Sequence, residues 1–94
     1  MAPVHFRVGS AGFVLLYRIL QNEESRMRVW DYDEIKHILD VPSHLHSLDE
    51  RNEWIRTTAL NARRKIANEV GVEGFLTIHD TENKKTINLA DRFV

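Results

Sequence analysis

The amino-acid sequence predicts a small α+β domain in which three helices are followed by a C-terminal β-hairpin. Three observations carry this. Asp31 and Glu34, and again Ser47 and Glu50, stand at capping-box spacing ahead of apolar residues that recur with helical period. The 23 residues from Leu48 to Val70 contain neither Gly nor Pro, which predicts one uninterrupted helix of about 35 Å at 1.5 Å per residue. After Gly71 and Gly74 the period changes: Phe75-Leu76-Thr77-Ile78-His79 and Thr86-Ile87-Asn88-Leu89 are β-type runs that flank the turn formers Asp80-Thr81-Glu82-Asn83-Lys84-Lys85.

Taken in order, His5-Phe6-Arg7-Val8 alternates enough for a short strand ahead of Gly9. Ser10 stands as the N-cap of a first helix, whose stripe Phe13, Leu16, Tyr17 and Leu20 is widened by Val14, Leu15 and Ile19. That pattern predicts a strongly buried helix ending near Gln21–Asn22. Asn22-Glu23-Glu24-Ser25 reads as a turn and Arg26-Met27-Arg28-Val29-Trp30 as a brief strand. Ile35, Ile38 and Leu39 give a short second helix, stopped by Val41-Pro42 because proline disfavours helical geometry in the residue before it. The irregular Ser43-His44-Leu45-His46 leads into the long third helix, for which Gly71 offers a left-handed C-terminal cap. Strand, helix, strand, helix, long helix, hairpin is the order of a winged helix-turn-helix, with residues 75–89 as the wing.

Composition bounds the function. Ninety-four residues make a single domain, 1–94, with one core. Its small size leaves stability thin unless a partner subunit helps. The absence of cysteine excludes a disulfide framework, a thiolate zinc site and a cysteine nucleophile. The longest apolar run, Gly12–Tyr17, is far short of a bilayer span. Met-Ala-Pro-Val-His has no secretory signal pattern, so a cytoplasmic protein is expected. No Ser-His-Asp spacing and no Gly-rich phosphate loop occurs. His44 and His46, with Asp40 and Asp49 nearby, have no third ligand at fixed spacing. The expectation is a protein that is not an enzyme and uses no metal and no cofactor. Trp30, Phe6, Phe75 and Phe93 are core candidates, whereas Trp54 falls off the apolar stripe and is expected to close over the His44–His46 loop, with a place on a dimer surface as the alternative.

Charge points to a partner. The total is −1 from 13 basic and 14 acidic residues. Yet Trp54–Asn68 holds Arg56, Arg63, Arg64 and Lys65 and no acid, so the cations gather on one element. At 100° per residue, Ile55, Ala59, Ala62 and Ile66 form a narrow apolar stripe, with Leu48 and Val70 on its margins. Opposite lie Glu53, Thr57, Asn61, Arg64 and Asn68, with Arg56, Leu60 and Arg63 on one shoulder. Arg donates bidentately to guanine, Asn to adenine, and the Thr methyl touches that of thymine. These residues suit a helix lying in a major groove, with Arg56, Thr57, Asn61, Arg64 and Asn68 reading bases. Arg63, Lys84 and Lys85 are the expected phosphate contacts, the two lysines at the wing tip.

Several segments are similar to one known family. Ile55-x-x-x-Ala59-x-x-Ala62-Arg63-Arg64-Lys65-Ile66, the spacing of Phe13, Leu16, Leu20 and Asn22, and Asp33-Glu34-Ile35 together resemble the OmpR/PhoB-type winged-helix DNA-binding domain of bacterial response regulators. The resemblance spans roughly Val8 to Leu89 and is that of a distant, freestanding relative without the receiver domain. It departs where the family's glycine-aromatic pair is replaced by Lys85-Thr86-Ile87-Asn88-Leu89. It implies that the third helix enters the major groove, that the wing meets the minor groove or backbone, and that Arg63 meets phosphate. The expected function is a sequence-specific, DNA-binding transcriptional regulator, acting on double-stranded DNA as a homodimer or by tandem binding on repeated half-sites. The rivals are a winged-helix protein–protein module, an adaptor or inhibitor acting on a protein partner in the transcription machinery and favoured by the near-neutral charge and by an outward Leu60, and an architectural binder that grips DNA without sequence preference.

Overall fold

The computed structural model describes residues 10–94. The strand expected at His5–Val8, with Phe6 and Gly9, lies outside them. Among the described residues, four α-helices and a three-stranded antiparallel sheet form an α+β unit, an arrangement compatible with the winged-helix order read from the sequence.

Helix α1 covers Ala11–Leu20, and its N-cap Ser10 accepts a hydrogen bond from the Phe13 amide at 3.3 Å. The turn and strand expected over residues 22–30 are instead a five-residue helix, α2 (Glu23–Met27), and a two-residue strand, β1 (Trp30–Asp31). Helix α2 gains its start from Asn22, whose side chain accepts from the Ser25 amide at 2.8 Å. Helix α3 (Tyr32–Ile38) opens on a complete capping box, because Asp31 accepts from the Glu34 amide while Glu34 accepts from the Asp31 amide. Helix α4 runs Leu48–Val70 as anticipated. Ser47 caps its start, and Gly71 at φ 76° ends it in the left-handed region that glycine tolerates without a steric penalty.

Strands β2 (Leu76–Asp80) and β3 (Lys85–Leu89) make the expected hairpin, closed by Thr81 and Lys84 with Glu82 and Asn83 at the tip. The sheet order is β1-β3-β2, with Trp30 opposite Ile87 and Leu76 opposite Leu89. Side chains alternate faces along a strand, so this register sends Leu76, Ile87 and Leu89 into the core together. There they join Leu15, Leu16 and Ile19 of α1, Tyr32 and Ile35 of α3, and Ile55, Ala59, Ala62 and Ile66 of α4. A brief 3₁₀ turn, Asp91–Phe93, brings Phe93 to 5.1 Å from the Phe75 ring.

Two burial expectations are corrected. Helix α1 buries Leu15, Leu16 and Ile19, whereas Tyr17 is 58% and Leu20 38% exposed. Leu48, placed on the margin of the α4 stripe, is also exposed. Trp54 packs partly buried against the core, and Trp30 is buried with its indole N–H donating to the Ser25 carbonyl.

Candidate nucleic-acid interface

Helix α4 and the hairpin share one side of the molecule because Gly71 and Gly74, both at positive φ, return the chain along the helix it has just left. Arg63 Nη1 donates to the Leu76 carbonyl at 3.5 Å, and Arg56 Nε lies 3.8 Å from Asp80 Oδ2. Seven residues of helix cover about 10 Å at 1.5 Å per residue. Strand β2 therefore runs antiparallel to α4, its start beside Arg63 and its end beside Arg56. The hairpin tip lies past Arg56, toward the N-terminal half of the helix.

Of the expected base-reading residues, Thr57, Asn61, Arg64 and Asn68 are exposed on a single stripe. Their side chains make no hydrogen bond or ion pair among the described residues. Arg64 is thus a cation with no acid drawn to it. The exposed Lys84 ammonium is equally unengaged beside the tip, although the Lys84 amide donates to Thr81 Oγ1 at 3.0 Å.

The other expected contacts are already engaged within the molecule. Arg56 is half-buried and forks onto Glu53, with Nε to Oε2 at 3.1 Å and Nη2 to Oε1 at 2.5 Å. Lys85 donates to Asp80 Oδ1 at 3.1 Å and to the Thr81 carbonyl at 3.0 Å. Asp80 Oδ2 also accepts the Tyr32 hydroxyl at 2.9 Å. Burial opposes charge on Asp80, but the donors Lys85 and Tyr32 and the nearby Arg56 outweigh it and hold the carboxyl below its ordinary range. The hydrogen bonds from Arg56 to Glu53 raise the guanidinium above its ordinary value. Arg63 is half-buried with its guanidinium against a carbonyl, and Lys65 pairs with Glu69 at 3.1 Å. The four cations that stand together in sequence therefore do not form a block in space. Arg64, Arg63 and Lys84 remain clear of carboxylates among the described residues.

The first turn of α4 carries Asp49 and Glu50, both exposed and acidic, ahead of the open stripe that begins at Thr57. Leu60, read as an outward apolar residue, is half-buried in a shallow depression with Arg63, Arg64, Ala67, Asn68, Glu73 and Gly74. Among the described residues no group of three His, Asp or Glu is placed to hold a metal ion, and His44 and His46 are exposed. No helix there is long and apolar enough to cross a membrane.

A second surface lies about half a helical turn away, on the other side of α4. A groove of about 710 Å³ is walled by Phe13, Leu16, Tyr17 and Leu20 of α1, and by Ile66, Val70, Val72, Phe75 and Phe93. It explains the exposure of Tyr17 and Leu20, which the sequence pattern had placed in the core.

Comparison with known protein families, with curated proteins and with solved structures finds no match for this chain.

Proposed function

We propose that the chain is a winged helix-turn-helix module that binds double-stranded DNA as a transcriptional regulator. Helix α4 lies in the major groove, and the hairpin acts as the wing. One observation carries this reading: Thr57, Asn61, Arg64 and Asn68 line one exposed stripe whose side-chain donors and acceptors have no partner among the described residues. Such a row is poor helix-forming chemistry, since Asn and Thr both rank well below Ala, Glu and Lys. Its open groups match the edges of base pairs. Lys84 at the tip and Arg63 beside β2 are the phosphate contacts, and they position the helix without reading sequence. A module this small gains affinity by pairing on repeated half-sites.

Selection of bound duplexes from a randomised pool tests the reading, with enrichment of a defined motif as the expected result. A gel-shift titration on that motif is expected to show log K falling against log salt with a slope near −2, about 0.9 for each of the two phosphate contacts. Binding with no enriched motif would assign an architectural role instead.

The apolar groove favours one second reading, a protein-interaction module, because apolar walls with two exposed residues from α1 suit a partner's side chains. Under it, association with the partner is nearly independent of salt and is abolished by Leu20→Glu, whereas DNA binding by the α4 stripe survives that substitution.

A further inference from the structure

The cluster around Asp80 offers more than structural support, because it ties up two of the cations nearest the proposed wing and helix. Glu53 stands on the exposed side of α4, one turn before Thr57, and grips Arg56 through two hydrogen bonds. Asp80 closes the other side of Arg56 at 3.8 Å and takes the Lys85 ammonium at 3.1 Å. Two carboxylates thus face two cations across three elements, and the group is neutral. A fork of two guanidinium N–H groups onto paired oxygens is also the geometry with which arginine holds phosphate. The carboxylates occupy the places that phosphate oxygens would take.

We propose that Glu53 and Asp80 are built-in counter-ions that withhold Arg56 and Lys85 from the DNA backbone, and so set how selectively the module binds. This rests on the DNA-binding reading and deepens it. Non-specific affinity comes from phosphate contacts, whereas discrimination comes from base edges. Withholding two cations lowers binding to every duplex while the stripe from Thr57 to Asn68 is left to discriminate. Freed of its carboxylates, the same surface gains phosphate contacts and loses relative preference. Asp80 holds its place because Tyr32, buried beneath it, donates to the same carboxylate.

The test compares wild type with Glu53→Gln/Asp80→Asn on random-sequence and selected duplexes across a salt series. Both replacements keep an acceptor oxygen, so the Tyr32 contact survives, and Glu53→Gln alone leaves the Asp80 cluster intact should the double variant fold poorly. The expected result is a salt slope steeper by up to about 1.8 for the double variant and about 0.9 for Glu53→Gln, at 0.9 per added phosphate contact. The preference for the selected over the random duplex shrinks at the same time. A second pair, Glu23→Gln/Glu24→Gln on α2, changes net charge equally outside the cluster and is expected to leave the slope unchanged. Equal slopes for wild type and the Glu53/Asp80 variants, with wild type still binding in a salt-dependent way, overturn the proposal and spare the DNA reading. An equal steepening by the α2 pair also overturns it, because net charge would then be the cause. Salt-dependent binding by the variant alone supports strong withholding. Binding by none of the proteins removes both readings.

Discussion

The Tyr32 hydroxyl reaches Asp80 Oδ2 at 2.9 Å across 48 residues of chain, while Lys85 holds the other carboxylate oxygen at 3.1 Å. Burial, and then the Asp80 acceptor, keep the phenol protonated well above its ordinary range. The same donors lower the carboxyl of Asp80. A carboxyl whose folded pKa lies below its unfolded value contributes stability above the unfolded value, near pH 3.9, and loses it as pH falls through the folded one. Wild type is therefore expected to lose stability on acidification below about pH 4 more steeply than Asp80→Asn, as read by thermal melts across pH. Tyr32→Phe is expected to cost about 1 kcal/mol at neutral pH, the net worth of one part-buried hydrogen bond. Asn52 makes the opposite case. It is buried on the inner side of α4, and its Oδ1 has no hydrogen-bond partner among the described residues. An apolar side chain of similar size removes that unmet acceptor and is a better helix former. Asn52→Leu is expected to raise stability by about 1 kcal/mol, or roughly 4–8 °C in Tm for a domain of this size.

Capping chemistry made most elements legible, because a cap is a local rule that a single sequence states in full. Ser47 accepts from the Glu50 amide at 3.1 Å and its hydroxyl donates back to Glu50 Oε1 at 3.0 Å, so both the start of α4 and its partner were readable three residues apart. Ser47→Ala is expected to cost about 1 kcal/mol in denaturant unfolding with an unchanged m-value. Helix α2 shows where such reading stops. Asn22 with Ser25 has cap spacing, and Glu23 and Glu24 suit a first turn, but five residues with no apolar period look like any polar turn. Strand β1 is two residues long because only Trp30 and Asp31 find partners on β3, a limit set by a strand more than fifty residues later. In α1 the period itself was ambiguous. Apolar residues nearly encircle the helix, so nothing local says that Leu15 and Ile19, rather than Tyr17 and Leu20, meet the core. The candidate interface divides in the same way. Thr57, Asn61, Arg64 and Asn68 follow from helical geometry alone, whereas the capture of Arg56 and Lys85 by Asp80 depends on where the hairpin lands.

At the scale of the whole molecule, α4, about 35 Å long at 1.5 Å per residue, separates two surfaces of opposite chemistry. One carries the open polar stripe and the hairpin tip; the other carries the apolar groove between α1, the end of α4 and Phe93. The separation lets a partner occupy the groove without covering the stripe, so the two proposed activities are testable independently on one protein. Within the polar side, the proposed roles of Arg64 and Lys84, whose side chains have no partner among the described residues, differ by their place. Arg64 sits mid-stripe between Asn61 and Asn68, the row proposed to read bases, and Lys84 sits beside the hairpin tip, proposed to meet phosphate. Arg64→Ala is expected to cost about 1–3 kcal/mol on the selected sequence and to relax preference at one position, with a much smaller effect on random duplex. Lys84→Ala is expected to weaken every sequence by the same factor and to reduce the salt slope by about 1. Both variants should melt like wild type, since neither side chain has a partner among the described residues to lose. Measured together in one gel-shift salt series, identical effects of the two substitutions on every duplex would leave α4 as a backbone-contacting rod, and the reading of sequence would have to lie elsewhere on the molecule.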